Sequence, residues 1–476
     1  MIRRTMVLLM AMCIWVAAVD LATQSAVTEG IRAAEIYERV SEFSSPAYEG
    51  RLTGTTGYAR AARRAADLFR EWGLAPLSED YLQEFSVRYT EVRQASLTLR
   101  IQTESREEVI EGEYFSNFYP LNFSGHGTVA APVVFAGYGL SAPEYGHDDY
   151  AGLAVTDKIV MIIKGAPPPR EGEDWTVYDD HRFRTANARR HGAAGLLYIY
   201  RPVANPNGDH LENFPMVQIS TEMADAVLKA SGTSVEALKP LLNLRRNVSF
   251  VTKATADLAV QAERRLGTGY NVVAFLPGSD PERQKEAVVI GAHLDHTGAW
   301  PVLTPGADDN ASGVAVVLAI ARAMAQAGVR SPRSIVFVLF GGEEMGLLGS
   351  RRFAERPPAP IQKIHFVLNT DMVGAGPDIF VLGLKKDPRF ELLANRVKDS
   401  LGLTCRLEGN ERIGSSGADH GPFIEKGIPA VSVFSSGGDH HGYHTDQDTI
   451  YWITPRIMED IGRLVAGCAL ELARGE

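Results

Sequence analysis

The chain has 476 residues, of which 45% are apolar and 22% charged, and its formal net charge is −10 at pH 7. A globular chain of this length can bury a large core and divides into two or three domains. The acidic balance argues against a nucleic-acid-binding protein, whose binding surface would be basic, although acidity alone identifies no partner.

Residues 1–26 have the pattern of a secretory signal peptide. Arg3 and Arg4 precede an apolar run over residues 6–19, and small residues follow that run. The run is shorter than the ~20 residues that a membrane-spanning helix needs. We therefore expect that this segment is removed, that the mature protein has no stable membrane insertion, and that it is secreted or periplasmic.

Residues 27–124 predict an incomplete part of a domain. The segments IRAAEIYERVSEF and YARAARRAADLFREWG have apolar residues at helical spacing, and a turn-rich segment separates them. Alternating residues near FSVRYTEVRQASLTLRIQT predict strands. The two helices need a sheet to pack against, and the apolar strands that could form it lie far downstream.

Residues 125–258 predict a separate, inserted domain. Strand segments such as KIVMIIKG and GLLYIY mix with helical segments such as TEMADAVLKASG, and no metal-binding pattern occurs among them. The segment GYGLSA is a weak match to a dinucleotide-binding fingerprint, because Pro143 follows at once and no helix begins there. We interpret it as the end of a strand followed by a glycine turn.

Residues 259–476 alternate regularly between apolar strands and helices, for example EAVVIGAH, GVAVVLAIARAMAQAG and RSIVFVLF. This order predicts an α/β fold with a mainly parallel sheet, helices on both faces, and a ligand site at the carboxyl ends of the strands. Polar residues occur in short motifs after these strands: His293, Asp295, His296, Asp308, Asp309, Glu343, Glu344, Asp371, His440, His441, His444 and Asp446. We expect these motifs to converge on one site.

Each of these polar residues has a simpler explanation when it is taken alone. Asp309 or Asn310 could cap the following helix, and Glu343 and Glu344 could lie at the positive end of another helix. Together, however, they would place many like charges in a buried region, which is costly unless cations neutralise them. Carboxylates and imidazoles are the donors that hold zinc in catalytic sites, so we predict a metal centre with two ions.

The chemistry of a two-metal site assigns roles to several of these residues. Two neighbouring ions need a shared carboxylate, further ligands for each ion, and a bridging water whose pKa the metals lower. Of the adjacent Glu343 and Glu344, one could bind metal while the other acts as general base toward that water. Asp295 could accept the other ring N–H of His293 and fix its orientation. Tyr443 could donate a hydrogen bond to the developing oxyanion.

Other catalytic schemes have no comparable signature in the sequence. There is no HExxH segment for a single-zinc helical site and no G-x-S-x-G nucleophile elbow. After removal of the signal segment the chain keeps only Cys405 and Cys468, which are too few and too scattered for a thiol enzyme. They could pair in an oxidising compartment, but two cysteines do not make a disulfide framework.

Five motifs occur in the order HLDH, GADDNASG, GGEEMGLLGS, NTDMVG and YHTDQDT. As a set they resemble the two-zinc exopeptidases of metallopeptidase family 28 (clan MH), which include aminopeptidases and glutamate carboxypeptidases. The resemblance runs from Tyr270 to the C-terminus and includes the first hundred residues, and residues 125–258 resemble the protease-associated (PA) domain inserted in many members. It implies a zinc-exopeptidase fold, a mainly parallel mixed sheet between helices, with an inserted β-rich α/β domain.

The resemblance also implies a role for each site residue. It implies five metal ligands, of which Asp309 bridges the ions: His293, Asp309, Glu344, Asp371 and His444. It implies three catalytic residues: Glu343 as general base, Asp295 behind the first histidine, and Tyr443. The other histidines of these motifs fall outside the pattern: His296, His440 and His441. The span from His296 to Asp309 is shorter than in members that carry a longer loop there.

The resemblance implies a zinc-dependent hydrolase with two zinc ions per chain and peptide substrates. We expect an aminopeptidase that removes N-terminal residues, with Glu343 as general base toward a water between the ions. The alternatives are a carboxypeptidase or glutaminyl cyclase of the same superfamily, or a non-catalytic binding protein on this scaffold. The complete ligand set favours the hydrolase.

Overall fold

A computed structural model describes residues 22–411 and 417–475, so most of the predicted signal segment lies outside the described residues. The helices are α1 (Ala33–Phe43), α2 (Thr56–Glu71), α3 (His181–Arg190), α4 (Thr221–Ala230), α5 (Val235–Asn243), α6 (Gly313–Gln326), α7 (Leu348–Glu355), α8 (Pro388–Ser400), α9 (Gly421–Glu425) and α10 (Pro455–Arg474). The strands are β1 (Ala75–Pro76), β2 (Leu82–Gln102), β3 (Glu107–Glu111), β4 (Phe118–Pro120), β5 (Gly127–Phe135), β6 (Ser141–Ala142), β7 (His147–Asp148), β8 (Ile159–Ile163), β9 (Gly195–Ile199), β10 (Met216–Ile219), β11 (Phe250–Leu276), β12 (Glu286–His293), β13 (Ser334–Phe340), β14 (Lys363–Thr370), β15 (Asp378–Leu382), β16 (Leu407–Gly409) and β17 (Ala430–Ser436).

The chain divides into two compact units. Unit 1 comprises the described residues of Met1–Val87, Gly267–Ala299 and Leu303–Glu476, and unit 2 comprises Arg88–Leu266 and Trp300–Val302. Unit 2 interrupts the chain of unit 1, and it is longer at both ends than the insertion that the sequence predicts. The assignment of that insertion to a PA domain stays a prediction.

The sheet of unit 1 is mixed and mainly parallel, in the order β16-β15-β17-β14-β12-β13-β11. Strand β12 runs parallel to both β13 and β14, and β14 runs parallel to β17. Strands β15 and β11 are antiparallel to their neighbours β17 and β13. This arrangement confirms the α/β fold that the alternation of strands and helices predicts.

Strand β13 shows why the sheet is covered on both faces. All the residues of its sequence SIVFVLF are buried. Ile335 and Phe337 pack in one apolar cluster, whereas Val336 and Val338 pack in another. Since successive side chains of a strand point to opposite faces, the two clusters lie on opposite sides of the sheet. A strand that is apolar on both faces is expected in a parallel sheet between helices.

Helix α6 is buried along most of its length, because its sequence GVAVVLAIARAMAQ is apolar on nearly every side. It packs against α1, α2 and α10 within unit 1. The helix begins directly after the turn Ala307–Ser312, which carries Asp308 and Asp309. The packing of α6 therefore fixes the position of that turn.

Arg51 is fully buried and connects the N-terminal part of unit 1 to two later loops. Its guanidinium donates to four main-chain oxygens: Phe43 (2.6 Å), Leu294 (3.0 Å), Pro305 (2.8 Å) and Gly306 (2.8 Å). Burial lowers the pKa of Arg51 to about 10, and carboxylates such as Asp448 oppose that shift. The side chain is therefore charged at neutral pH, and its charge is satisfied by carbonyl dipoles.

Unit 2 has a sheet of its own strands in the order β5-β8-β9-β10-β4, with the first part of the long strand β11 beside β5. Strands β5, β8, β9 and β10 run parallel, and β4 is antiparallel to β10. The side chains of Asp180 and Ser220 cap the N-termini of α3 and α4. Unit 2 is thus a second α/β body with its own apolar core.

None of the described helices combines the length and the apolar character that crossing a membrane requires. Cys405 and Cys468 are buried free thiols in unit 1. The pairing that an oxidising compartment would permit is therefore not formed, and the packing of the apolar clusters stabilises this unit.

Candidate metal centre

The ends of adjacent strands in unit 1 bring the predicted ligands together. His293 is the last residue of β12, and Asp371 directly follows β14. Glu344 lies in the segment after β13, and Asp309 lies in the turn before α6. Because parallel strands present their carboxyl ends at one edge of the sheet, residues far apart in sequence meet there.

His293, Asp309 and Asp371 form one buried group. The Nε2 atom of His293 lies 3.3 Å from Oδ1 of Asp309 and 3.3 Å from Oδ1 of Asp371. One donor atom from each residue lies within 4.8 Å of the others. A small cation held by one nitrogen and two oxygens fits this spacing. These are three of the five metal ligands that the family resemblance implies.

His444, Asp309 and Glu344 meet in a second buried group. The Nε2 atom of His444, in the loop after β17, lies 3.0 Å from Oδ2 of Asp309 and 3.0 Å from Oε2 of Glu344. The two carboxylate oxygens of Asp309 therefore face different groups, Oδ1 toward His293 and Oδ2 toward His444. A carboxylate with one oxygen on each side has the geometry of a bridging ligand.

His296 also lies in the second group, although the family pattern excludes it. Its side chain is fully buried. Its Nδ1 atom lies 3.0 Å from Oε1 of Glu344 and 3.8 Å from Oδ2 of Asp309. The motif pattern places His296 near the site, but it does not indicate this contact. The only signal was the second histidine of HLDH, and a buried imidazole cannot be told from ordinary packing without coordinates.

Burial dominates the electrostatics of the site. It raises the pKa of Glu343 well above the usual range and also raises that of Asp371, whereas His293 opposes both shifts. Burial acts in the same direction on Asp309, but its contacts with His293 and His444 hold its pKa well below the usual value. So many carboxylates are stable together only beside compensating positive charge. The donor set of imidazole nitrogens and carboxylate oxygens fits divalent zinc.

The ring of His293 is oriented by a main-chain group. Its Nδ1 atom lies 3.1 Å from the carbonyl oxygen of Asp295 and 3.9 Å from that residue's Oδ1. Oδ1 instead accepts a hydrogen bond of 3.2 Å from the backbone N–H of Glu343. The sequence predicts that the Asp295 carboxylate accepts the ring N–H. In the structure the accepting atom is the carbonyl oxygen, because the carboxylate is turned toward Glu343.

Glu343 and Tyr443 lie beside the two groups. Among the described residues, Glu343 is not part of either set of converging donors, and its side chain is partly exposed. The ring of Tyr443 stacks on that of His444, with ring centroids 3.8 Å apart and planes 13° apart. Burial and the nearby carboxylate of Asp309 raise the pKa of Tyr443 well above its usual value, so its hydroxyl stays protonated and can donate.

Two further side chains hold the turn that presents Asp309. The carboxylate of Asp448 accepts hydrogen bonds from the backbone N–H groups of Asp308 (2.8 Å) and Asp309 (3.0 Å). Asn310 accepts one of 2.9 Å from the first residue of α6, so it caps that helix, and it donates to the last residue of β14 at 3.0 Å. The capping role considered for Asp309 or Asn310 therefore belongs to Asn310.

The other histidines of the last motif lie outside both donor groups. The Nδ1 atom of His440 lies 2.5 Å from Oδ2 of Asp308. The ring of His441 packs against that of Trp452, with centroids 3.9 Å apart. Of the three histidines in this loop, His444 is the one that reaches the converging carboxylates.

Comparison with known proteins agrees with this geometry. Residues 271–469 match the family model of Peptidase family M28. Leupeptin-inactivating enzyme 1 of Streptomyces exfoliatus is 36% identical over 175 residues, which cover 36% of this chain and 37% of that protein. A probable leucine aminopeptidase of Trichophyton verrucosum (strain HKI 0517) is 30% identical over 211 residues, covering 43% of this chain and 57% of that protein. The chain thus spans about half the length, or less, of these relatives.

Solved structures extend the similarity over nearly the whole chain. An aminopeptidase from Aneurinibacillus sp. strain AM-1 aligns with a TM-score of 0.67 and 23% identity, covering 95% of this chain and 97% of that one. A zinc aminopeptidase from Bacillus subtilis aligns with a TM-score of 0.64 and 22% identity, covering 93% and 96%. At this identity the alignments establish the fold. The family match includes all the converging donors, and residues 271–469 of this chain therefore belong to peptidase family M28.

Proposed function

We propose that the protein is a zinc-dependent aminopeptidase that hydrolyses the N-terminal bond of peptides with two ions held between its paired donor groups. The observation that carries this proposal is the position of Asp309, whose two oxygens face His293 on one side and His444 on the other. A single-metal site would not need a carboxylate in that arrangement.

The choice of metal and substrate rests on the donors and on the relatives. His293, Asp309 and Asp371 would hold one zinc ion, and Asp309, Glu344 and His444 the other. Bound zinc supplies Lewis acidity and lowers the pKa of coordinated water. The proteins compared above include a probable leucine aminopeptidase and a zinc aminopeptidase. These names, together with the paired site, support an aminopeptidase of peptide substrates over a binding protein on the same scaffold.

Glu343 acts as the general base in this proposal. It follows the same strand as Glu344 but stands outside both donor groups and remains partly open to solvent. Its backbone is held by Asp295, which fixes where its carboxylate can reach. A raised pKa suits a group that must take a proton from water and then donate it to the leaving amine. The protonated hydroxyl of Tyr443 donates to the oxyanion that develops on the substrate carbonyl.

We also propose that the protein is exported. The proposal is supported by the charged, apolar and small-residue pattern of residues 1–26. N-terminal sequencing of protein from the culture medium or periplasm tests it. A mature N-terminus near residue 27 is the expected result, and an intact Met1 on the cell-associated protein would contradict it.

The function is tested by elemental analysis of the purified protein together with hydrolysis of amino-acid p-nitroanilides. We expect about two zinc ions per chain, cleavage of substrates with a free α-amine, and no cleavage when the amine is blocked. Cleavage of peptides only from a free carboxyl end would instead indicate a carboxypeptidase. One metal with cyclisation of N-terminal glutamine would indicate a cyclase, and metal without turnover would leave a binding protein.

A further inference from the structure

His296 is a buried side chain of the second donor group for which the proposed reaction assigns no role. Its imidazole lies edge-to-face against that of His444, with centroids 5.4 Å apart and planes 77° apart. Its backbone N–H donates to the carbonyl oxygen of Arg51 at 3.3 Å. The ring also packs closely on Gly306, where an added Cβ atom would lie 2.5 Å from the Cγ atom of His296. Backbone and ring contacts therefore leave the imidazole little freedom to turn.

The contacts of Glu344 divide between its two oxygens. Oε2 lies 3.0 Å from Nε2 of His444, on the side of the shared Asp309. Oε1 lies 3.0 Å from Nδ1 of His296. A hydrogen bond to Oε1 would occupy that oxygen and leave Oε2 as the single donor toward a cation in the second group.

We propose that His296 is a positioning residue for the second ion: it donates its Nδ1–H to Oε1 of Glu344 and thereby makes Glu344 a one-oxygen ligand. This inference rests on the proposed metal site. If Glu344 binds through one oxygen, one coordination position of the second ion stays open. A carboxylate that binds through both oxygens would fill that position.

In the alternative, Nδ1 of His296 itself binds the ion. This alternative is less favourable because of the surroundings of the other ring nitrogen, Nε2. The Nε2 atom of His296 is buried and has no hydrogen-bond partner among the described residues. If Nδ1 were a ligand, Nε2 would have to carry the proton and would be a buried donor without an acceptor. With the proton on Nδ1, Nε2 is only an unfilled acceptor. The distance of 3.8 Å to Oδ2 of Asp309 also leaves Glu344 as the nearer partner.

The test compares two substitutions that introduce the same amide group at different distances from the backbone. In His296→Asn the side-chain NH₂ lies near the position of Nδ1, and in His296→Gln it extends past that position. Affinity for each zinc ion is measured by competition with a chelator, and coordination number is read from the visible absorption of the cobalt-loaded protein. Circular dichroism establishes that each variant is folded, and His365→Asn, a substitution in the partly exposed part of β14, is the matched control.

We expect His296→Gln to weaken the second ion by roughly 10- to 100-fold and to leave the first ion unchanged. His296→Asn should bind both ions nearly as the unmodified protein does, with the same cobalt spectrum. Equal affinities in all three proteins would overturn the proposal. So would a weakened second ion in both variants together with a cobalt spectrum that has lost one nitrogen ligand, because that result would make His296 a ligand. Metal binding is measured without substrate, so a failure of the aminopeptidase proposal would not produce either result.

Discussion

Glu343 and Glu344 are adjacent in sequence but have different surroundings. The side chain of Glu344 faces two imidazoles, whose contacts hold its pKa at about 2 although burial acts in the opposite direction. For Glu343 the charge of His293 opposes burial only in part, and burial raises its pKa well above the usual range. One carboxylate is thus suited to stay ionised as a ligand, and its neighbour to exchange a proton.

Replacing Glu343 by Gln should separate these two roles. We expect zinc content to stay unchanged and turnover to fall by about 10²- to 10⁴-fold, because the amide cannot accept a proton. The measurement is kcat on a free-amine p-nitroanilide beside elemental analysis. Glu355→Gln, at the exposed end of α7, is the control and should behave as the unmodified protein. Turnover of Glu343→Gln near the control value would remove the general-base assignment.

Replacing His444 by Ala should affect the two ions unequally. His444 contacts Asp309 and Glu344 but has no part in the group of His293 and Asp371. We expect the second ion to be lost at chelator concentrations at which the first is retained, so that about one zinc remains per chain. Graded dialysis against chelator followed by elemental analysis measures this. Simultaneous loss of both ions would contradict two separate groups.

His181, in unit 2, gives a pH dependence that is independent of the metal centre. Burial, with the nearby charges of Lys164 and Arg184, lowers its pKa to about 4 from an ordinary value of 6.5. Because the folded pKa lies below the unfolded one, the neutral ring is compatible with the fold above pH 6.5. Stability is then lost as the pH falls from about 6.5 toward 4.

His181→Gln should therefore flatten the acid side of the stability profile. Between pH 7.5 and 4.5 we expect the variant to lose about 2 to 3 kcal/mol less unfolding free energy than the unmodified protein. Urea unfolding at the two pH values measures the difference, and His126→Gln at an exposed position is the control. Parallel profiles for His181→Gln and the unmodified protein would contradict the shift.

The sequence predicted which residues converge at the site. It predicted less well through which atoms these residues contact each other. Five polar motifs after apolar strands were enough to indicate a converging site, because the topology of a parallel sheet brings strand ends together. The choice of ligands within those motifs came from the resemblance to a known family: His293, Asp309, Asp371, Glu344 and His444. The acceptor for the His293 ring and the role of His296 depend on side-chain rotation. Rotation follows from tertiary packing, and no spacing in the sequence encodes it.

Among the elements, the central strands and helices of unit 1 were predictable because they are continuous apolar runs of the sequence. Strand β13 is apolar on both faces and α6 on nearly every side, which is a strong signal in sequence. The extent of unit 2 was not predictable from the sequence, because both of its boundaries in β2 and β11 fall inside a strand. A domain boundary inside a strand leaves the apolar pattern uninterrupted by a long linker, so the sequence pattern does not show where the unit ends.

Arg51 holds the loops that precede the turn of Asp309 through hydrogen bonds to their main-chain oxygens. Arg51→Met keeps the length of the side chain but removes a donor from four main-chain oxygens, of which that of Gly306 still accepts from the backbone N–H of Ala311. We expect a loss of about 3 kcal/mol or more of unfolding free energy and a weakened second ion, since Pro305 and Gly306 lead into the turn of Asp309.

Thermal unfolding and chelator competition measure the two effects of Arg51→Met. Arg63→Met, on the exposed face of α2, is the control and should change stability by less than about 0.5 kcal/mol. A variant of Arg51 with the stability of the control would show that water replaces the guanidinium at little cost.

At the scale of the whole molecule, all the candidate ligands belong to unit 1. Removal of metal should therefore destabilise unit 1 and leave unit 2 unchanged, because binding stabilises only the body that holds the ligand. Hydrogen exchange of peptides from β12 and from β8 measures the two units separately. We expect chelation to accelerate exchange in β12 alone, and equal acceleration in both peptides would contradict this division.

The hydrogen bond between Arg51 and the carbonyl oxygen of Leu294 joins residues 243 positions apart, with residues 88–266 of unit 2 between them in sequence. A ribosome adding roughly 5 to 20 residues per second needs on the order of 10 to 50 seconds to deliver the second partner after the first. During that interval α1 and α2 have emerged without the sheet they cover, whereas every residue of unit 2 except 300–302 is already available. Unit 1 is therefore completed after unit 2 during synthesis, and the second donor group cannot form until His444 has been added to the chain.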